Sequence, residues 1–213
     1  MARILPGETD LYAITDTGLS LGRSVEEVAE ALLGAGIRSI QYREKKAKDG
    51  AKLEECRILR RVADRHGACL VVDDHVDLAL LCGADGVHVG QEDIPLADVR
   101  ALVGTKMIVG VSTHEPAHAI AAQAGGADYI GVGPIYATKT KEDVCAPVGL
   151  SYLDWVAAHI TLPRVCIGGI KAHNIAEVAA HGGSCCALVS ELVGAADIPA
   201  MVAKVRAAMH GGR

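Results

Sequence analysis

Residues 69–93 read CLVVDDHVDLALLCGADGVHVGQED. Two short runs rich in β-branched residues, 69–73 and 86–89, flank a stretch with helical spacing at 76–81. Both runs are continuously apolar rather than alternating, as expected of strands buried on both faces. A strand, a crossover of about a dozen residues and a second strand make a parallel βα unit. Each run ends in acidic or amide side chains, Asp73-Asp74 and Gln91-Glu92-Asp93.

The same unit repeats in both directions. Further strands are expected at 11–15, 37–42, 107–111, 129–132, 164–167 and 185–189. Helical spacing follows at 25–33, 52–66, 98–103, 116–124, 152–158, 172–181 and 198–209, with 76–81 the shorter eighth. Ser24 with Glu27 three residues on reads as a capping box, and Gly34 and Gly36 mark a helix end. Eight units in 213 residues leave roughly 27 residues each, near the minimum for a strand plus helix. The expected fold is α/β, a single (β/α)8 TIM barrel forming one domain over 1–213. A doubly wound open sheet shares the local pattern, and the count of eight favours the barrel.

Half of the 213 residues are hydrophobic, enough for a substantial core, yet Phe is absent and Trp155 is the sole tryptophan. The core is therefore aliphatic. A net charge of −5 without a basic run argues against nucleic-acid and membrane-surface partners. Seven cysteines show neither a CxxC pair nor zinc spacing, and no apolar leader or membrane-length run is present. A cytoplasmic location is the expectation, and a homodimer is compatible with the chain.

Chemistry in a barrel sits at the C-terminal ends of the strands. There the chain places Gln41-Tyr42-Arg43-Glu44-Lys45, Asp73-Asp74, Gln91-Glu92-Asp93, Ser112-Thr113, Thr138-Lys139-Thr140-Lys141, Gly168-Gly169 and Val189-Ser190. Asp74 and Asp93 follow adjacent strands, so both carboxylates can reach one small cation of the magnesium type. Helix capping is the other role open to them. Arg43, Lys45 and Lys141 suit phosphate oxygens. The 133–147 stretch is long enough for a lid, and Thr138 and Thr140 offer anion contacts. Gly168-Gly169 and Val189-Ser190 stand where barrels often bind a phosphate monoester. Two phosphate-binding ends suggest joining or exchanging two phosphorylated molecules. His88, inside a strand, reads as a satisfied core histidine, His114 as part of a capping turn, and Cys185-Cys186 as packing residues. No nucleophile elbow or P-loop occurs.

These segments, in this order, resemble the thiamine phosphate synthase (thiamine-phosphate pyrophosphorylase) family. The resemblance runs from Tyr12-Ala13-Ile14-Thr15 to Val189-Ser190 and includes Gly110-Val111-Ser112-Thr113, Gly131-Val132-Gly133-Pro134-Ile135-Tyr136 and Ile167-Gly168-Gly169-Ile170. It implies a barrel transferase that joins hydroxymethylpyrimidine diphosphate to a thiazole phosphate with Mg²⁺, giving thiamine phosphate and pyrophosphate. It further implies that Gln41, Tyr42, Arg43, Glu44, Lys45, Asp73, Ser112 and Lys141 contact the pyrimidine diphosphate. Asp74 and Asp93 would hold the metal. Thr138, Lys139, Thr140, Gly169, Val189 and Ser190 would bind the thiazole phosphate. Arg43, Lys45, Ser112 and Lys141 are the expected catalytic residues.

One departure stands out, because the family pattern usually carries Asn where this chain has Asp73. The rival within the superfamily is a thiazole tautomerase, which has no use for the Arg43, Lys45, Asp74, Asp93 and Lys141 cluster. A non-catalytic barrel that binds a thiazole or thiamine phosphate is the rival from another class. An unrelated phosphate-binding barrel isomerase would need an acid/base pair, and the chain shows none.

Overall fold

Side chains at alternate positions of a strand point to opposite faces, and in this chain both faces are apolar. On β1 (Leu11–Ile14), Leu11 and Ala13 pack outward among the helices, while Tyr12 and Ile14 point inward. On β3 (Cys69–Asp73), Leu70 and Val72 face out and Cys69 and Val71 face in. The computed structural model describes residues 4–138, 140 and 145–211.

The remaining strands are β2 (Ser39–Tyr42), β4 (Gly86–Val89), β5 (Ile108–Thr113), β6 (Tyr129–Val132), β7 (Arg164–Cys166) and β8 (Cys186–Leu188). All pair in parallel with their sequence neighbours, and β8 returns to β1 with Leu11 opposite Cys186 and Ala13 opposite Leu188. That closure excludes the open doubly wound sheet. Helices α1 (Val25–Gly34), α2 (Asp49–His66), α3 (Val76–Cys82), α4 (Leu96–Val103), α5 (Pro116–Ala124), α6 (Gly149–His159) and α7 (Ile175–Ala180) follow strands one to seven. A short α8 (Ser190–Val193) and then α9 (Ile198–His210) complete the ring. Among the described residues no helix is long and apolar enough to cross a membrane.

The Ser24–Glu27 capping box forms as expected, with Glu27 Oε2 accepting from Ser24 N–H at 2.8 Å. Strand β2 starts at Ser39, later than the expected 37, because Ile37 N–H closes the end of α1 on Leu32 C=O (3.3 Å). Helix α7 starts at Ile175 rather than 172. Asn174 accepts from Lys171 N–H (2.7 Å) and donates to the Gly169 carbonyl (3.1 Å), folding the preceding residues into a turn.

Without Phe, the barrel interior is filled by Tyr12 and Tyr129, edge to face with centroids 6.3 Å apart. Residue 110 on β5 must be glycine for this: a Cβ there would lie 2.2 Å from Tyr129 Cζ and 2.5 Å from His88 Nδ1.

Candidate active site

A cavity of about 1180 Å³ opens at the C-terminal ends of the strands. It exceeds the usual single-ligand size of roughly 300–1,000 Å³.

The wall over β2 to β4 is charged. Arg43 is fixed by its backbone N–H on Thr15 Oγ1 (2.9 Å) and pairs with Asp16 (3.5 Å) and Asp73 (3.6 Å). Lys45 Nζ sits between Asp73 Oδ2 (3.4 Å) and Asp74 Oδ2, which it hydrogen-bonds. Burial pushes the Lys45 ammonium down, but Asp74 and Asp73 outweigh it and hold its pKa above the ordinary lysine value. Asp74 adopts φ +57°, a left-handed conformation that Asp tolerates better than most residues. A tight turn follows from it, His75 N–H donating to Asp73 C=O (2.7 Å) while Asp74 N–H reaches His88 C=O (2.8 Å). Asp93 Oδ2 accepts from Gly90 N–H (2.7 Å), closing the loop after β4.

Four carboxylates of this wall, Asp73, Asp74, Glu92 and Asp93, line the cavity against two cations, Arg43 and Lys45. A diphosphate alone would meet excess negative charge there. A hard divalent cation fits the set, since Mg²⁺ takes one or two carboxylates and completes its shell with waters and phosphate oxygens. Among the described residues no cage of three or more His, Cys, Asp or Glu exists. Asp74 and Asp93 both line the cavity on this wall.

Next to this wall a polar chain runs down into the barrel. Ser112 Oγ lies 2.9 Å from His88 Nε2, and His88 Nδ1 lies 2.9 Å from Tyr129 OH. Tyr129 OH meets Tyr12 OH at 3.2 Å, and Gln41 Nε2 donates to Tyr12 OH at 3.3 Å. Burial drives the Tyr12 and Tyr129 phenols well above their ordinary pKa, so both stay neutral hydrogen-bond carriers. With both ring nitrogens engaged, His88 orients Ser112 toward the cavity. It is buried and satisfied, as its sequence reading expects, and it also lines the floor of that cavity.

The opposite wall comes from β6 to β8. Gly168 (φ +96°) and Gly169 (φ +64°) turn sharply beneath the start of the β6 loop, where Ile135 N–H donates to Ile167 C=O (2.8 Å) and Tyr136 N–H to Gly168 C=O (3.0 Å). Thr138 and Thr140 face the cavity, their hydroxyls 3.3 Å apart. Val189 and Ser190 line it from β8, together with Lys171, a cation absent from the sequence-based set.

The expected residues thus converge, with exceptions. Tyr42 turns outward between β2 and α2, donating to Glu55 Oε2 at 2.6 Å, and does not line the cavity. Nor does Glu44, whose Oε1 accepts from Lys46 N–H (2.6 Å) and Ala47 N–H (3.2 Å). Burial raises the Glu44 carboxyl, but these bonds and one from Thr17 outweigh it and hold it below the ordinary range. Lys139 and Lys141 lie outside the described residues.

A closed parallel barrel with a charged, two-walled cavity at the C-terminal ends of its strands places the chain in the (β/α)8 class. Residues 11–192 match the family model described as thiamine monophosphate synthase. A thiamine-phosphate synthase of Lawsonia intracellularis is 56% identical over 98% of both chains. One from Pelotomaculum thermopropionicum is 58% identical, covering 94% of this chain and 92% of its own. The solved thiamine phosphate pyrophosphorylase from Pyrococcus furiosus superposes with a TM-score of 0.86 at 33% identity, over 97% of this chain and 98% of that one. The chain belongs to the thiamine monophosphate synthase family, and it is an enzyme of the transferase class, as its sequence resemblance implies.

Proposed function

We propose that the protein condenses 4-amino-2-methyl-5-hydroxymethylpyrimidine diphosphate with thiazole phosphate, forming thiamine phosphate and pyrophosphate. The observation that carries this reading is one cavity with two chemically distinct ends. The carboxylate-rich, cation-bearing wall suits a diphosphate with its metal, and the Gly168-Gly169 and Ser190 wall suits a phosphate monoester.

Arg43 and Lys45 bind the diphosphate oxygens and offset the charge that grows on them as the methylene carbon–oxygen bond breaks. The bonding pair leaves with pyrophosphate, and the exocyclic carbon becomes a cation stabilised by the electron-rich aminopyrimidine. Gln41 and Ser112, the latter oriented by His88, hold the pyrimidine ring. Thr138, Thr140, Gly169, Val189 and Ser190 hold the thiazole so that its ring nitrogen attacks that carbon. Lys139 and Lys141 extend the two anion sites in this reading. Asp74 and Asp93 would hold Mg²⁺, which supplies Lewis-acid stabilisation of the leaving group when bound. No protein nucleophile or strong base is required, and positioning and electrostatics carry the rate. One domain spanning 1–213 and a reducing cytoplasm complete the proposal, supported by seven free cysteine thiols.

The test is a product assay with both substrates, in Mg²⁺ or in EDTA, quantifying thiamine phosphate and pyrophosphate. Equal yields of both, abolished by EDTA, are the expected result. Thiazole phosphate binding without product would favour a tautomerase or a binding protein.

A further inference from the structure

Lys171 stands two residues beyond Gly169 on the wall assigned above to the thiazole phosphate. Its Nζ donates to Ser190 Oγ at 2.7 Å and lies 3.2 Å from Glu191 Oε2. Glu191 is steered in turn, its Oε1 accepting from Ala172 N–H at 3.3 Å. The backbone beneath is pinned by Asn174 through Lys171 N–H and the Gly169 carbonyl. Lys171 is only 30% exposed and Glu191 19%. The ammonium is therefore an aimed, partly shielded charge beside a hydroxyl at the cavity, unlike a solvated surface lysine.

Among the described residues Lys171 is the one Lys or Arg lining the β7–β8 side of the cavity; Arg43 and Lys45 are engaged by carboxylates on the other wall. A phosphate monoester carries close to two negative charges near pH 7, and glycine amides and hydroxyls alone leave that charge uncompensated. Any phosphate oxygen that hydrogen-bonds Ser190 also comes within reach of Lys171.

We propose that Lys171 is a further substrate-binding residue, its ammonium taking the phosphate of the thiazole substrate while Glu191 holds that ammonium in place and competes with the incoming anion. This inference rests on the function proposed above. It makes two substitutions within one ion pair act in opposite directions, which a purely structural brace would not.

The experiment is steady-state kinetics on Lys171→Ala, Lys171→Arg and Glu191→Gln, with calorimetric titration of thiazole phosphate and of the unphosphorylated thiazole alcohol. In Lys171→Ala, KM and Kd for thiazole phosphate should rise roughly 10- to 100-fold. The kcat, the KM for the pyrimidine diphosphate and the affinity for the alcohol should hold. Lys171→Arg should recover most of the loss, and Glu191→Gln should bind thiazole phosphate severalfold more tightly. A thiazole phosphate Kd unchanged in Lys171→Ala overturns the proposal. So does an equal loss with the alcohol, or weaker binding in Glu191→Gln. If the wild-type protein forms no thiamine phosphate, the functional reading fails. Calorimetry then still decides Lys171: weaker binding of thiazole phosphate in Lys171→Ala upholds it, and equal or absent binding in both proteins overturns it.

Discussion

Asp73 and Asp74 are identical side chains in unlike settings. Asp73 ends β3 and is flanked by two cations, Arg43 at 3.6 Å and Lys45 at 3.4 Å, which balance its charge. Asp74 sits in the left-handed region at φ +57°, a conformation that costs energy and aims its carboxylate at Lys45 and the cavity. An amide at 73 keeps an acceptor for Arg43 and adds a donor, so Asp73→Asn should hold kcat/KM within about threefold. In the proposed metal role, an amide at 74 removes a negative charge that the divalent cation would need. Asp74→Asn should lose activity on the order of a hundredfold and require more Mg²⁺. Activity titrated against Mg²⁺ in the two variants checks both statements. Full activity of Asp74→Asn at limiting Mg²⁺ would remove the metal role from this residue.

The turn after β7 and the loop after β6 form one structural element of the site. Gly168 lies against Pro134, so that an added Cβ would stand 2.4 Å from Pro134 Cβ, and its φ of +96° is unfavourable for any other residue. Gly168→Ala should therefore cost about 2–4 kcal/mol in urea unfolding, combining left-handed strain with overpacking, and should raise the KM for thiazole phosphate. Gly83→Ala is the matched control. It shares a positive φ, 67°, but a Cβ there meets nothing within 4 Å, so the difference between the two reports the crowding together with the extra strain of φ +96°. Strands and helices were legible in sequence because burial on both faces leaves unbroken apolar runs, and the residues at the strand ends therefore came out in the right loops. Side-chain direction was less legible. The period of two sends Gln41 and Arg43 into the cavity and Tyr42 away from it, a distinction that a contiguous motif conceals. The His88–Ser112 contact depends on the register of β4 against β5, where His88 pairs with Gly110, and no local pattern encodes that register. Lys171 lies outside every motif that the sequence singles out. Only the fold brings Ser190 and Glu191 to it.

Across the whole molecule, the two ends of the barrel divide the labour between chemistry and cohesion. Opposite the cavity, three aspartates stand at strand entrances, each accepting a backbone N–H and each held by an arginine from the helical ring. Asp85 meets Arg60 of α2 (2.7 Å), Asp128 meets Arg100 of α4, and Asp10 meets Arg206 of α9 (2.6 Å). Asp10 matters most for closure. Its carbonyl accepts from Cys186 N–H (3.0 Å) at the seam between β8 and β1, and Arg206 also reaches the carbonyls of Ala35 (2.7 Å) and Gly36 (2.9 Å). Burial raises the Asp10 carboxyl, but Arg206 and the Leu11 N–H outweigh it and hold its pKa below the ordinary value of 3.8. A carboxyl whose pKa is depressed by folding adds stability above its unfolded pKa and loses it as pH falls through the folded one. Asp10→Asn resembles the protonated acid and should cost about 1–3 kcal/mol at pH 7. That corresponds to roughly 2–4 °C of Tm per kcal/mol for a chain of this length. Urea unfolding of wild type and Asp10→Asn at pH 7, 5 and 4 should give a constant gap between the first two. The gap should begin to narrow near pH 4 and close further below it, as the wild-type carboxyl itself takes up a proton. A gap that stays constant into the acid range would assign the loss to altered geometry at the seam and leave the Arg206 charge without a role in holding the barrel shut.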